Sequence, residues 1–335
     1  MPNRNILDYH VLKLLAQTYG PSGNERQVAE FISQQVGSYV QDIRSDALGN
    51  LLIRKPGTGK KILIACHMDE IGVIITSIGE EGYLYFAPVG GVKSSDLLAK
   101  RVQFQNKRIG VVSQEKNTVD EEKTSGKYFI DIGVNSQEEA GKIVREGDMA
   151  VLVGDYQETA DHILSKALDD RIGCFIAVEM IKQLHSEQDL YFAFTAQEEV
   201  GSRGAKTIVH GIEPDLALIL DTTLSFDSPK EKNRTSLNRG AAIKVMDRTI
   251  VVSPRIKNWM ADAASQNDIS FQWEIITTGG TDSGPIHLTG RGIPTGGIAI
   301  PVRYLHTGNE IAAKHDILSA FLLLAVLLNQ PFTNL

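Results

Sequence analysis

The sequence predicts an α/β protein with a mixed, mostly parallel sheet flanked by helices, and with a small β-barrel or sandwich inserted into it. Apolar runs of strand length alternate with helical patterns before residue 72 and again after residue 161. Between them lie shorter alternating runs separated by glycines and charges, a texture typical of a small barrel or sandwich. We therefore expect an α/β domain built from residues 1–71 and 162–335, interrupted by a β-rich domain at residues 72–161.

The helices are predicted from apolar periodicity and from capping residues. Leu7, Val11 and Leu14 fall on one helical face. Ser22 and Glu25 have the spacing of a capping box, which predicts a second helix through about residue 38. Further helices are predicted at residues 137–144, 170–185, 201–211, 258–267 and 317–328, the last of them capped by Asp316.

The strands of the α/β part are continuous apolar runs, as expected for a parallel sheet that is buried on both faces. They are predicted at residues 39–44, 50–54, 61–66, 190–197, 216–220, 271–277 and 293–300. The insertion is predicted to contain strands at residues 73–77, 82–87, 102–104, 109–113, 128–132 and 149–153. Its polar segment 114–127 is predicted to be an exposed, mobile loop.

The composition indicates an ordinary globular protein. Of 335 residues, 42% are apolar and 22% are charged, and the net charge of −7 argues against general nucleic-acid binding. Cys66 and Cys174 are too few for a disulfide framework or a cysteine-rich zinc site. The polar N-terminus lacks the core of a signal peptide, and the longest apolar stretch is shorter than the ~20 residues of a membrane helix. We expect a cytoplasmic protein with no membrane or nucleic-acid partner.

Two adjacent carboxylates, Glu198 and Glu199, follow one of the buried strands. Ligands of open α/β folds bind beyond the carboxyl ends of the strands, so two carboxylates in this position can have different roles at one site. One carboxylate could bind a metal ion while its neighbour takes a proton from a water molecule. A solvated surface pair is the ordinary alternative, so the prediction depends on further residues at the same sheet edge.

Further candidates of this kind stand at predicted strand ends or at a helix start: His67, Asp169, Asp221 and His306. Such residues can meet at one edge although they are far apart in sequence. Mixed imidazole and carboxylate ligands suit zinc, cobalt or manganese. Asp69 follows His67 by two residues, the arrangement in which a carboxylate orients a metal-bound imidazole. Each residue also has a structural alternative, namely a buried histidine, a helix cap or a surface side chain, but together they predict a metal site.

Four segments carry a resemblance to a known family. Residues 67–72 (His-Met-Asp-Glu-Ile-Gly), 167–171 (Ala-Leu-Asp-Asp-Arg), 196–201 (Ala-Gln-Glu-Glu-Val-Gly) and 303–306 (Arg-Tyr-Leu-His) resemble, in this order, the tetrahedral aminopeptidases. These are co-catalytic metallopeptidases that include glutamyl and deblocking aminopeptidases. The resemblance covers essentially the whole chain and implies a zinc-exopeptidase-like fold.

The resemblance also implies roles for the candidate residues. The catalytic residues would be Glu198 as general base and Asp69 as the residue that orients His67. Two divalent ions, zinc or cobalt and alternatively manganese, would be bound: one by His67 and Asp221, the other by Glu199 and His306, with Asp169 bridging both. A cis peptide bond would join Asp169 to Asp170. The inserted domain would form dimers that assemble into a dodecamer.

The sequence departs from the family after the late histidine, where Thr307 and Gly308 stand in place of a frequent Ser-Pro. The ligand is still present, but the rim of the pocket differs. The predicted function is that of a di-metal aminopeptidase acting on the N-termini of peptides. The alternatives are a related di-metal hydrolase, either an N-acyl amino acid deacylase or a carboxypeptidase, and an inactive shell or scaffold subunit.

Overall fold

The computed structural model describes residues 6–115, 127–229, 235–330 and 332. Its strands are β1 (Asp42–Ser45), β2 (Leu51–Lys55), β3 (Lys61–His67), β4 (Gly72–Ile78), β5 (Leu84–Val89), β6 (Arg101–Phe104), β7 (Ile109–Gln114), β8 (Tyr128–Asp131), β9 (Met149–Leu152), β10 (Gln157–Glu158), β11 (His162–Ser165), β12 (Asp189–Thr195), β13 (Leu216–Leu224), β14 (Ala241–Met246), β15 (Phe271–Ile275), β16 (Thr295–Arg303) and β17 (Glu310–Ala313). Its helices are α1 (Tyr9–Gln17), α2 (Arg26–Val36), α3 (Gln137–Gly141), α4 (Leu168–Gln183), α5 (Ala205–Ile208), α6 (Pro254–Gln266), α7 (Ser283–His287) and α8 (Lys314–Asn329), with a 3₁₀ turn at Ser94–Leu97.

In the described part of the chain, eleven strands form one mixed sheet and six form a closed barrel. The centre of the sheet is parallel, in the order β12, β3, β13 and β16. Antiparallel strands extend it on both sides, because β1–β2 and β10–β11 are hairpins and β17 returns beside β16. The predicted α/β class with an inserted barrel is confirmed, although antiparallel pairings are more numerous than the sequence indicated.

The central strands are apolar on both faces because helices cover both. Ile62 and Ile64 of β3 pack into the core below α1, α2, α4 and α8, whereas Leu63 and Ala65 face α5 and α7. This is the alternation of a strand with period two, with both sets of side chains buried. The polar ends of these strands are therefore left at one edge of the sheet, where a site can form.

The barrel follows β3 directly and contains strands β4 to β9 in the order β4, β5, β8, β7, β6, β9. It has a core of its own, which includes Val73, Leu84, Val102 and Ile130. The segment after β5 returns towards the sheet, so the barrel contacts the same edge as the strand ends. Most of the predicted mobile loop, residues 116–126, lies outside the described residues.

Two capping predictions are wrong. Helix α2 begins only at Arg26, and its N-cap Glu25 makes no side-chain capping bond. The hydroxyl of Ser22 instead donates to the Asp69 carboxylate at 2.6 Å. Asp316 lies inside the first turn of α8 and accepts from the backbone N–H groups of Asn238 (2.8 Å) and Gly240 (2.7 Å). Ser22 and Asp316 thus form hydrogen bonds with groups that are distant in sequence, and neither side chain caps its own helix.

Several element boundaries also differ from the predictions by a few residues, and two of them bear on the site. Residues 201–211 contain only the short helix α5, because the N–H groups of Arg203 and Gly204 bond back to the carbonyls of Gln197 and Ala196. Strand β13 continues beyond the predicted end at residue 220, since it pairs with β16 as far as Leu224. Within the described ranges no helix has the length and apolar character needed to cross a membrane.

Candidate functional site

The predicted site residues meet at the carboxyl edge of the parallel strands. His67 is the last residue of β3, and Glu198 and Glu199 follow β12, which pairs in register with β3. Asp169 lies at the start of α4 and His306 lies three residues beyond β16. Asp221 lies within β13 rather than beyond it, which corrects the prediction of a strand-end residue while leaving its side chain 3.8 Å from His67 Nε2.

Asp169 lies between the two histidines. Its Oδ1 is 3.3 Å from Nε2 of His67, and its Oδ2 is 3.1 Å from Nε2 of His306. The residue is only 6% exposed. Oδ1 approaches His67 without forming a hydrogen bond and has no other hydrogen-bond partner among the described residues. A buried acceptor without a donor calls for an explanation, and a bound cation would supply one.

The donor atoms fit divalent cations. Ligand atoms of His67, Asp169 and Glu199 lie within 4.8 Å of one another, and so do those of His67, Asp170 and Asp221. Nε2 of His306 is 3.4 Å from Oε1 of Glu199. Imidazole nitrogens mixed with carboxylate oxygens suit zinc, cobalt and manganese rather than calcium.

Asp170 was not among the predicted ligands. Its Oδ1 accepts from the N–H of Gly173 at 2.9 Å, so that it caps the regular part of α4, and a cis peptide bond joins it to Asp169 as the resemblance implied. For the adjacent pair Asp169–Asp170, capping of the following helix was the structural alternative to a metal site. The contact of Asp170 Oδ1 is that of a helix cap, whereas Asp170 Oδ2 lies 3.4 Å from the backbone nitrogen of His67.

The acidic groups carry more negative charge than their surroundings can balance. Burial raises the pKa of both Glu198 and Glu199 to about 8, and it raises the pKa of Asp221 as well. Burial lowers the pKa of His306, but Asp169 and Glu199 outweigh this effect and bring it to about 10. Carboxylates that burial drives towards the neutral form are held ionised by a nearby positive charge. The electrostatics of the site thus favour a cation.

Asp69 contacts His67 differently from the prediction. The carbonyl oxygen of Asp69 lies 3.1 Å from Nδ1 of His67, closer than the carboxylate oxygen at 3.5 Å. The carboxylate instead accepts from the N–H groups of Glu198 (2.9 Å) and Glu199 (3.1 Å), and from Ser22. Asp69 is fully buried. Its carboxylate therefore holds the turn that carries both glutamates, while its backbone faces the imidazole.

The His306 side of the site is supported by two residues that sequence reasoning missed. Glu310 is buried and accepts from the backbone N–H groups of His306 (2.8 Å) and Asp169 (3.1 Å). Nδ1 of His306 lies 3.2 Å from the carbonyl oxygen of Gly91, in the barrel segment after β5. A hydrogen bond from the second ring nitrogen to a carbonyl fixes the tautomer that leaves Nε2 free to bind a metal. The acidic residue after the late histidine was visible in the sequence, but the glycine gave no signal.

Two further missed residues lie on the Glu198 side. Ser202 Oγ donates to Oε1 of Glu198 at 2.8 Å. Asp282 is buried, and Thr195, at the end of β12, donates a hydrogen bond to it. Cys66 is buried and free, and it belongs to neither group of metal-ligand candidates in the described residues.

The whole chain is similar to known aminopeptidases. A putative aminopeptidase of Acetivibrio thermocellus is 44% identical over 94% of this chain and 97% of its own. An aminopeptidase structure from the archaeon Desulfurococcus kamchatkensis matches with a TM-score of 0.91 and 33% identity, covering 96% of this chain and 94% of that chain. The TET1 peptidase of Pyrococcus horikoshii, described as assembling into a tetrahedron or a large octahedral shell, matches with a TM-score of 0.86 and 30% identity over 96% and 99% of the two chains.

These likenesses agree with the order of motifs found in the sequence and confirm the predicted family of peptide hydrolases. The family model that matches the chain is described as M42 glutamyl aminopeptidase, and it spans residues 49–323, from β2 to within α8. The matched segment contains each of the predicted catalytic and metal-binding residues. The chain therefore belongs to the M42 glutamyl aminopeptidase family.

Proposed function

We propose that the protein is a di-metal aminopeptidase that removes N-terminal residues from peptides. The observation that carries this proposal is the position of Glu198. Its carboxylate, with a pKa that burial raises to about 8, interacts electrostatically with His67 and Glu199 but belongs to neither group of candidate metal ligands found in the described part of the chain. A general base works best with a pKa near the working pH, and it must stand beside the atoms that it deprotonates.

The residues fall into two sets for two cations. His67 and Asp221 would hold one ion, Glu199 and His306 would hold the other, and Asp169, which faces both histidines, would contact both. The mixed nitrogen and oxygen ligands favour zinc or cobalt, with manganese as the alternative. Bound in this way, two cations supply Lewis-acid polarisation of the peptide carbonyl and lower the pKa of water.

Glu198 performs the proton transfers. It takes a proton from the water molecule that attacks the first peptide carbonyl, and it returns the proton to the amide nitrogen as the bond breaks. Asp69 keeps Glu198 in place by accepting the backbone N–H groups of both glutamates. His67 is kept in orientation by the carbonyl of the same aspartate. Asp69 therefore serves both the base and a metal ligand.

The variant Glu198→Gln tests this role. Because Gln cannot accept the proton, we expect turnover of aminoacyl anilides to fall by roughly 10²–10⁴-fold with both metals still bound. The exposed Glu146→Gln is the matched control, since it makes the same chemical change in the barrel, and it should leave turnover unchanged. Near-normal turnover of Glu198→Gln with a full metal complement would exclude Glu198 as the base.

A blocked amine separates the aminopeptidase from the alternatives. The enzyme should release the first residue of a free peptide and leave its N-acetylated form intact. Cleavage of the acetyl group would instead indicate a deacylase, and release of the last residue a carboxypeptidase. An inactive shell subunit would bind no metal tightly after mild chelation.

We further propose that the barrel at residues 72–161 joins subunits into dimers that assemble into a dodecamer. The support is the assembly described for the Pyrococcus horikoshii peptidase and the exposure of three apolar barrel residues, Leu98, Ile109 and Val111. Light scattering of wild-type protein and Val111→Lys would test this, since a charge in the contact should reduce the mass. The two free buried thiols are consistent with a cytoplasmic location.

A further inference from the structure

The turn after Glu198 folds back on itself and brings a hydroxyl to the carboxylate. The N–H groups of Gly201 and Ser202 both donate to the carbonyl of Glu198, each at 2.8 Å. Ser202 has a φ of +48°, which belongs to the left-handed region and is uncommon outside glycine. In this conformation Ser202 Oγ donates to Oε1 of Glu198 at 2.8 Å. The backbone of the turn thus places a donor on one specific oxygen.

This hydrogen bond is shielded from solvent. Ser202 is 9% exposed, so little water is available to replace the hydroxyl as a donor to Glu198. A hydrogen bond to an ionised carboxylate is roughly twice as strong as one between neutral groups. The contact is therefore able to select one orientation of the Glu198 carboxylate.

Asp282 is a second buried carboxyl group whose charge acts on Glu198. It is 1% exposed, its Oδ2 accepts from Thr195, and its Oδ1 has no hydrogen-bond partner among the described residues. Burial raises the pKa of Asp282 to about 6, while the hydroxyls of Thr195 and Ser202 act to lower it. The single hydroxyl proton of Ser202 is donated to Glu198, so it is Glu198 and not Asp282 that this hydroxyl orients.

We propose that Ser202 is a positioning residue for the general base: its hydroxyl holds Oε1 of Glu198 by a buried hydrogen bond, so that the other oxygen is presented to the reacting water. This inference rests on the proposed function of Glu198. Ser202 touches neither substrate nor cation in this role and acts only through the orientation of the base. Its loss should accordingly affect turnover rather than substrate binding.

Two pairs of variants isolate the hydroxyl. Ser202→Ala removes it, and we expect kcat to fall about tenfold, the effect of losing one hydrogen bond to a charged group, with KM and metal content unchanged. Ser202→Thr and Ser202→Val have the same shape and the same strain at positive φ, and they differ only in the hydroxyl. The Thr variant should therefore exceed the Val variant in kcat by about the same tenfold factor.

Two readouts distinguish positioning from a general structural effect. In a Glu198→Gln background, removing the Ser202 hydroxyl should change kcat by less than about twofold, because the group that it positions is already lost. A crystal structure of Ser202→Ala should show the Glu198 carboxylate rotated away from its wild-type position. Equal kcat for the Thr and Val variants, or an unmoved carboxylate, would overturn the inference. If wild-type protein released no N-terminal residue at all, the proposed function would fail instead, and the crystal structures would still decide whether Ser202 orients Glu198.

Discussion

The substitution Gly91→Ala adds a methyl group in the barrel segment and should disable the half of the site that contains His306. An ideal Cβ built on Gly91 lies 2.6 Å from Nδ1 and 2.7 Å from Cε1 of His306. Non-bonded carbon atoms prefer separations of roughly 3.5–4.0 Å, so the imidazole would have to retreat by about 1 Å. Gly91 does not have a positive φ, so alanine meets no backbone strain there and the effect falls on the ring.

A shift of this size exceeds what a metal site tolerates. Ligand distances vary by only about 0.2 Å around their preferred values, and loss of an outer hydrogen bond alone typically costs 10–100-fold in metal affinity or activity. Gly91→Ala displaces Nε2 from its present position beside Asp169 and Glu199 and disturbs the hydrogen bond to the Gly91 carbonyl. We therefore expect a loss of about 100-fold in kcat, accompanied by a fall from two bound metals to one.

Elemental analysis after dialysis, together with kcat at increasing concentrations of added zinc, would measure both effects. Gly141→Ala is the matched control, because Gly141 also lies in the barrel and an added Cβ there meets nothing within 4 Å. The control should bind two metals and retain wild-type turnover. If Gly91→Ala also keeps both metals and stays within about twofold of wild-type kcat, the barrel does not position His306 as argued.

Three further predictions concern stability and metal binding. Asp69→Ala should lower the free energy of unfolding, measured in urea, by about 3 kcal/mol, because the backbone N–H groups of Glu198 and Glu199 lose their acceptor. The variant should also have a lower kcat. Unchanged stability would contradict the contacts described. Adding zinc at 100 times its dissociation constant to chelator-treated protein should stabilise it by about 2.7 kcal/mol per site, and Asp169→Asn should abolish most of the resulting rise in Tm. The hydrogen bond from Arg303 holds the pKa of Asp227 at about 2, so this carboxylate adds stability above about pH 4 and loses it as the pH falls towards 2; Asp227→Asn should therefore be destabilising at pH 7 and much less so at pH 2.

The sequence predicted the parts of the molecule that depend on local pattern. The apolar run that ends at His67 is buried on both faces of the sheet, and such runs are recognisable without knowledge of their partners. The convergence of His67, Asp169 and His306 followed from the geometry of parallel strands, whose carboxyl ends share an edge. Their roles as ligands stay predictions, since they came from chemistry and resemblance.

Tertiary hydrogen bonds explain what the sequence did not predict. Ser22 has the spacing of a helix cap, but its hydroxyl finds Asp69, 47 residues away in the chain. Asp221 was predicted at a strand end because the apolar run 216–220 stops there, whereas pairing with β16 carries the strand on to Leu224. Ser202 and Asp282 are 80 positions apart and lie in turns, where neither periodicity nor spacing relates one residue to another.

The two halves of the site are held by different parts of the fold. The half that contains His67 is embedded in the sheet, and the His67 side chain is only 2% exposed. The half that contains His306 lies on the connection that follows β16. The His306 side chain is 29% exposed, and its Nδ1 contacts the carbonyl oxygen of Gly91 in the barrel segment. A structural change in the barrel should therefore affect the position of His306 more directly than that of His67. If the barrel also joins subunits, as proposed, contacts between subunits would bear on the proposed metal position at His306 through Gly91, and assembly and metal loading would then be linked.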